Sequence, residues 1–275
     1  MELNRALTGK RYVGGGYQVT AEAITRYADA TNDLNECYRG SAPIASPVFG
    51  IVPAFPTIMR AARDPELGAD LLRLVHISEE HVIHRPLRAG DFLAVSAELC
   101  ALSEDETGER FTIAVELAVD GQVAMLVRAT MLIRGKGFRR RRRPAPAEAP
   151  GSKTSPEILG ERPFRVDADQ PQRYAEASGD HNPIHLDEAT ARSAKLPGVI
   201  AHGMCTMAMA TAGVVDEVAG GDPGKVRMVA ARFAKPVFPG QELSARCWRS
   251  GDDYEFDVFN RAGVSLLGGR AEVVD

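Results

Sequence analysis

Two apolar runs at residues 111–117 and 124–133 flank Asp120-Gly121. That dipeptide suits the two positive-φ positions of a tight hairpin, so the pattern predicts two antiparallel strands joined there. Near the C-terminus Tyr254, Phe256 and Val258 alternate with Glu255 and Asp257, the period of a half-buried strand. Residues 260–263 read as a turn and 264–274 as a closing strand. A different pattern spans 203–215, GMCTMAMATAGVV, which is small and apolar on all sides, as expected of a buried helix. Its counterpart in the first half is placed at roughly 54–62. Two short helices are predicted at 20–30 and 170–178, with Asp167 and Asp169 as caps for the second. Strands following one buried helix suggest an antiparallel sheet wrapped around it.

The pattern occurs twice. YADATNDLNECY from Tyr27 matches YAEASGDHNPIH from Tyr174, 147 positions later. The stretch from His84 to Asp91 resembles that from Ala234 to Gln241 at an offset of 150. Two matched blocks at nearly one offset indicate a duplicated unit. The expected division is an N-terminal unit at 1–134, a linker at 135–160 and a C-terminal unit at 161–275. The linker holds five consecutive arginines, Arg139 to Arg143, then a Pro/Ala/Gly/Ser-rich stretch that can bury little apolar surface. The arginines are read as a solvated linker, with contact to phosphates or to an acidic protein surface left open. Gly14-Gly15-Gly16 lacks the following Lys-Ser or Lys-Thr of a phosphate loop and is read as a turn.

Composition narrows the function classes. The 275 residues are 44% hydrophobic and 25% charged, with a net charge of -4, which gives no electrostatic case for nucleic acid. Cys37, Cys100, Cys205 and Cys247 are widely spaced and form no CxxC pair, so no zinc spacing exists and four free thiols are expected. No apolar run approaches the roughly 20 residues of a membrane helix, and the first residues lack a signal-peptide core. A soluble cytoplasmic protein is the expectation, with no membrane partner.

The chemistry concentrates after Tyr174. Ser178-Gly179-Asp180-His181-Asn182-Pro183-Ile184-His185, followed by His202-Gly203-Met204, resembles the signature of the MaoC-like, (R)-specific enoyl-CoA hydratases. The resemblance implies an α+β fold: a tandem, or double, hotdog, each unit an antiparallel sheet around a central helix. It also implies Asp180 and His185 as the catalytic pair, and reversible conversion of trans-2-enoyl thioesters to (R)-3-hydroxyacyl thioesters.

These residue types suit that reaction. Water needs a base to attack C3, and C2 needs a proton; a carboxylate and an imidazole facing one water supply both. Pro183 fixes its own φ and keeps Asn182 out of helical geometry, which could aim both side chains into one pocket. Asn182 is expected to hold the loop or the water. Gly203, at a helix start, offers an unpaired N–H to the thioester oxyanion and lets the substrate approach closely. Thr211 stands where relatives carry a hydroxyl near the active site. His181 is read as a surface loop residue and His202 as shaping the helix entrance. No metal and no resident cofactor are expected, because CoA or an acyl-carrier moiety arrives as part of the substrate.

In the first half Asp33 and Asn35 stand where Asp180 and Asn182 do, but Glu36 replaces the proline and Tyr38 replaces His185. With a one-residue gap, Ala54 and Phe55 fall opposite His202 and Gly203. The first unit is therefore read as silent and substrate-shaping, with a weaker Asp33–Tyr38 site as the alternative. The competing functions are a hotdog acyl-thioesterase and a non-catalytic acyl-thioester binding subunit. Either a monomeric double hotdog or a homodimer is compatible with the duplication.

Overall fold

The structure is a computed structural model that describes residues 2–135 and 157–274. In the first unit β1 (Arg11–Gln18) is followed by α1 (Ala21–Ala30), α2 (Ile51–Ala62), β2 (Leu74–Ile83), β3 (Phe92–Asp105), β4 (Gly108–Val119) and β5 (Gln122–Arg134). The second unit repeats this order with β6 (Ile158–Arg165), α3 (Gln170–Ser178), α5 (Gly203–Glu217), β7 (Val226–Phe233), β8 (Glu242–Ser250), β9 (Asp253–Asn260) and β10 (Ser265–Val273). It adds one short helix, α4 (Glu188–Ser193), ahead of α5.

All ten strands form one antiparallel sheet in the order β1-β3-β4-β5-β2-β7-β10-β9-β8-β6. Read outward from the centre, both halves run through equivalent strands, so the molecule is the double hotdog that the resemblance implies. The seam is β2 against β7, paired from Ser78↔Arg232 to Val82↔Met228. Joining there protects two strand edges that separate units would expose. The repeat is visible even in loop bonds. His84 and Arg85 both donate their N–H to the Ala124 carbonyl, and Ala234 and Lys235 both donate to that of Leu266.

Local chemistry explains the elements. Thr20 caps α1 by accepting the Ala23 N–H at 3.0 Å. Asp120 and Gly121 have φ of 50° and 78°, the paired positive values a two-residue hairpin needs. Residues 204–215 of α5 are all buried, and Met207, Ala210 and Val214 are completely enclosed. Fully burying each larger side chain there contributes on the order of 1.5–3 kcal/mol.

Several expectations shift. The glycine run is not a turn: Gly14–Gly16 lie in β1, where pairing with β3 breaks register between Val13 and Gly16. A Cβ on Gly14 would stand 2.7 Å from the Val95 carbonyl oxygen, so close sheet and helix packing demands a residue without one. Helix α2 starts at Ile51, a turn earlier than expected. Asp169 is the cap residue of α3, but its carboxylate makes no capping bond. It binds Arg173 instead, as Asp167 does. Ile158 and Gly160, at the end of the expected linker, pair with Trp248 and Cys247 of β8. Arg139 to Arg143 lie outside the described residues. Among the described residues no helix is long and apolar enough to cross a membrane.

Candidate active site

The loop from Gly179 to His185 is a chain of side-chain-to-backbone turns. Helix α3 ends at Gly179, whose φ of 79° lets the chain leave in the left-handed conformation. The Asp180 carboxylate accepts the Asn182 N–H at 3.1 Å, and the Asn182 side chain accepts the Ile184 N–H at 3.3 Å. Pro183 opens a 3-10 turn that brings His185 inward. Asn182 itself is exposed, so it holds the loop and does not reach the buried pocket.

Two histidines meet beneath this loop. His185 Nδ1 lies 2.9 Å from the Ile200 carbonyl oxygen, and His202 Nε2 lies 2.9 Å from that of Asp180. A carbonyl only accepts, so these nitrogens carry the protons, and His185 Nε2 and His202 Nδ1 keep lone pairs. The rings stack with centroids 3.8 Å apart, and His202 is almost fully buried. Asp180, His185 and His202 bring ligating atoms within 4.8 Å of one another, the one such trio among the described residues. Burial holds the His185 imidazole below its ordinary value, against the opposing pull of the Asp180 carboxylate and the Ile200 carbonyl. His202 is pushed down to about 3 by burial and then by His185. Both rings are therefore neutral at neutral pH, and His185 Nε2 is free to accept a proton.

This has a consequence for stability. Each ring binds a proton more readily in the unfolded chain, so stability is complete above about pH 6.5 and falls as pH drops through that value. His202 alone should cost about 2 kcal/mol between pH 7.5 and 5, a range in which most carboxylates stay ionised. Urea midpoints at the two pH values check this; equal midpoints would show that the buried ring accepts protons without penalty.

Gly203 begins α5, and among the described residues its N–H has no acceptor. A Cβ there would lie 3.1 Å from the Phe233 ring. The helix dipole and the open N–H make this point receptive to a developing negative charge. Thr211 lies about 12 Å further along the axis at the usual rise. Its buried hydroxyl donates to the Met207 carbonyl at 2.8 Å, and it does not line the pocket that contains Asp180. His181 is exposed, as expected, whereas His202 does more than shape an entrance: it fixes the Asp180 backbone.

Asp180 opens into a narrow slot of about 30 Å³, space for roughly one water. Tyr174, Ser178 and Met204 of the second unit line it together with Ile51, Phe55, Ile58, His76, Ala129 and Met131 of the first. A wider groove of about 700 Å³ runs outside between α1 and α3, among Arg26, Asp29, Arg173 and Glu176, and shares no lining residue with the slot.

The first unit holds the mirror image of the loop. Asp33 is buried and accepts the Asn35 N–H, and Asn35 accepts that of Cys37. Tyr38 fills the place of His185 and is completely buried; burial, then Asp33, holds its phenol protonated. The counterparts of His202 and Gly203 are not Ala54 and Phe55. Ala45 donates to the Leu87 carbonyl as Ala201 does to that of Val237, which puts Ser46 and Pro47 opposite His202 and Gly203. The one-residue gap failed because α4 lengthens the second unit: 17 positions separate His185 from His202 but only 8 separate Tyr38 from Ser46. Proline has no N–H, so Pro47 leaves the first unit without an oxyanion donor at that position. Phe55 instead lines the slot of the second unit.

Fold and site together define a double-hotdog protein whose second unit brings a carboxylate, Asp180, against an imidazole, His185. Residues 151–266 match the model of the MaoC like domain, and residues 6–127 that of the FAS1-like dehydratase domain region. The chain is 33% identical over 217 residues to 3-hydroxyacyl-thioester dehydratase Y of Mycobacterium tuberculosis (strain ATCC 25618 / H37Rv), covering 76% of this chain and 69% of that one. It is 27% identical over 235 residues to peroxisomal multifunctional enzyme type 2 of Mus musculus, covering 82% of this chain but 31% of that longer protein. A crystal structure of a MaoC-like dehydratase from Phytophthora Capsici superposes with a TM-score of 0.83 at 20% identity, over 100% of this chain and 98% of that one. The chain belongs to the MaoC-like dehydratase family.

Proposed function

We propose that this chain catalyses the reversible hydration of trans-2-enoyl thioesters to (R)-3-hydroxyacyl thioesters. The observation that carries this is the Asp180–His185 pair, with the imidazole proton locked on Nδ1 and the carboxylate close to its ring. The pair takes a proton from a water as the water oxygen bonds to C3. The C2=C3 electrons shift toward the thioester oxygen, which the Gly203 N–H receives. The pair then returns a proton to C2 and ends unchanged, so H and OH have been added across the double bond. The (R) configuration follows from the resemblance to the (R)-specific hydratases. The first unit supplies a wall of the acyl slot rather than a second centre.

The substrate brings its own CoA or acyl-carrier moiety, and the reaction as written uses no resident cofactor or metal. Both walls belong to one chain, so a monomer or a homodimer would carry the same slot. The four cysteines are free, which suits a reducing, cytoplasmic setting.

The test is product identity. Purified protein is offered trans-2-enoyl-CoA and the matching acyl-carrier thioester, and loss of enoyl absorbance is followed together with product chirality. An (R)-3-hydroxyacyl thioester is expected. Free CoA without a hydroxyacyl product would replace this reading with a thioesterase, and binding without turnover of either thioester would replace it with a binding subunit.

A further inference from the structure

His202 serves poorly the helix that it opens. It is the N-cap residue of α5, a place where Ser, Thr, Asp or Asn would accept a free N–H of the first turn, yet its side chain makes no capping bond. The ring turns instead to the loop 22 positions earlier, where Nε2 donates to the Asp180 carbonyl at 2.9 Å. The residue is only 1% exposed, and its Nδ1 is enclosed with no partner among the described residues. Leaving a buried acceptor unpaired costs stability, and a flat apolar ring would remove that cost. Packing alone therefore does not account for an imidazole here.

Three parts of the proposed centre meet at this residue. Its Nε2–H holds the backbone of Asp180, whose carboxylate belongs to the acid–base pair. Its ring is stacked on that of His185, with centroids 3.8 Å apart and planes 30° from parallel, so the base rests on a flat support. Tyr174 packs against that support in turn, at 4.9 Å between centroids. The His202 carbonyl accepts the Thr206 N–H at 3.1 Å, and the peptide between His202 and Gly203 carries the N–H offered to the thioester oxygen. With the ring tethered on one side and the carbonyl on the other, that peptide is fixed relative to both Asp180 and His185. Burial pushes the ring down to about 3, so it stays neutral at neutral pH. The first unit supplies the contrast. Asp33 and Asn35 persist there, but Tyr38, Ser46 and Pro47 stand together in place of His185, His202 and Gly203. The support is missing from the unit that has no imidazole to support.

We propose that His202 is a positioning residue for hydration: its Nε2–H and its ring face hold the Asp180 carboxylate, the His185 imidazole and the Gly203 N–H in one arrangement around the reacting thioester. It touches neither the water nor the substrate and transfers no proton. This rests on the hydratase reading, since it concerns the same centre.

The experiment measures kcat and KM for hydration of a trans-2-enoyl thioester, offered on CoA and on an acyl carrier, by wild type, His202→Phe and His202→Gln. Urea midpoints show that each variant is folded. His202→Phe keeps a flat ring under His185 but loses the donor, and His202→Gln restores an N–H for the Asp180 carbonyl. In His202→Phe kcat should fall about 10- to 100-fold, the loss that a displacement of about 1 Å in the reacting groups produces. KM should stay within about twofold, because no substrate contact is removed. His202→Gln should recover part of the lost kcat. An unchanged kcat in folded His202→Phe overturns the role, as does a loss carried by KM or a His202→Gln variant no faster than His202→Phe. If His202→Phe does not fold, His202→Gln decides alone: a reduced kcat at unchanged KM supports the role, and a full wild-type kcat overturns it. A wild type that hydrates neither thioester is a separate result, which removes the hydratase reading and this role with it.

Discussion

Replacement of Asp180 by asparagine is expected to lower kcat/KM for hydration by about a thousandfold or more while the protein stays folded. Asparagine preserves the side-chain oxygen that accepts the Asn182 N–H, so the loop keeps its turn. What disappears is the negative charge beside His185 and the site that shares the water proton; general acid–base groups of this kind contribute roughly 10²–10⁴ in rate. His185→Ala should fall by a similar factor through loss of the Nε2 base. The double variant should be little worse than either single one, since the two act on one water as a unit. Steady-state rates with circular dichroism as the folding control decide the matter; retention of more than about a tenth of the activity in either single variant would remove the pair from the mechanism.

The second large effect concerns stability. Glu79→Ala should destabilise the fold by about 3–5 kcal/mol, because this carboxylate on β2 is wholly enclosed beneath the seam and binds the rings of both His76 and His81, whose bonds it takes with it. Removal of Glu98, whose bond to Arg11 lies on the exposed edge strand, should cost less than about 1 kcal/mol. Both pairs measure 3.1 Å, but Glu79 is enclosed and binds two imidazoles, whereas Glu98 is partly exposed and binds Arg11. Chemical denaturation of both against wild type tests the contrast, and a Glu79→Ala loss as small as that of Glu98→Ala would show that the buried carboxylate gains nothing from its enclosure.

The two units share one sheet but not one set of side chains: the second carries the Asp180–His185 pair, and the first carries Asp33 with Tyr38. Tyr38 and Pro47 occupy the positions of His185 and Gly203 and offer neither an imidazole nor a backbone N–H. Ile51, Phe55 and Ile58 of the same unit are meanwhile turned to line the slot of its neighbour.

Several features of this protein were determined by the sequence by itself, because they depend on near neighbours in the chain. The hairpin at Asp120-Gly121, the enclosed helix α5 and the Asp180-to-His185 loop are set by φ preferences, periodicity and short-range side-chain bonds. The duplication was legible for the same reason, since the repeat preserves local patterns. Tertiary structure alone decided the rest. The alignment of Ser46 and Pro47 with His202 and Gly203 appears only through bonds to Leu87 and Val237, because α4 breaks the spacing. Gly14 to Gly16 looked like a turn because glycine permits one, yet Val95 and Thr57 across the fold require the absence of Cβ in a strand. His76, Glu79 and His81 carried no legible signal: their spacing puts them on opposite faces of a regular strand. One extra residue, Ile77, between His76 and Ser78, whose partners on β5 lie more than fifty positions away, brings both histidines to the buried Glu79.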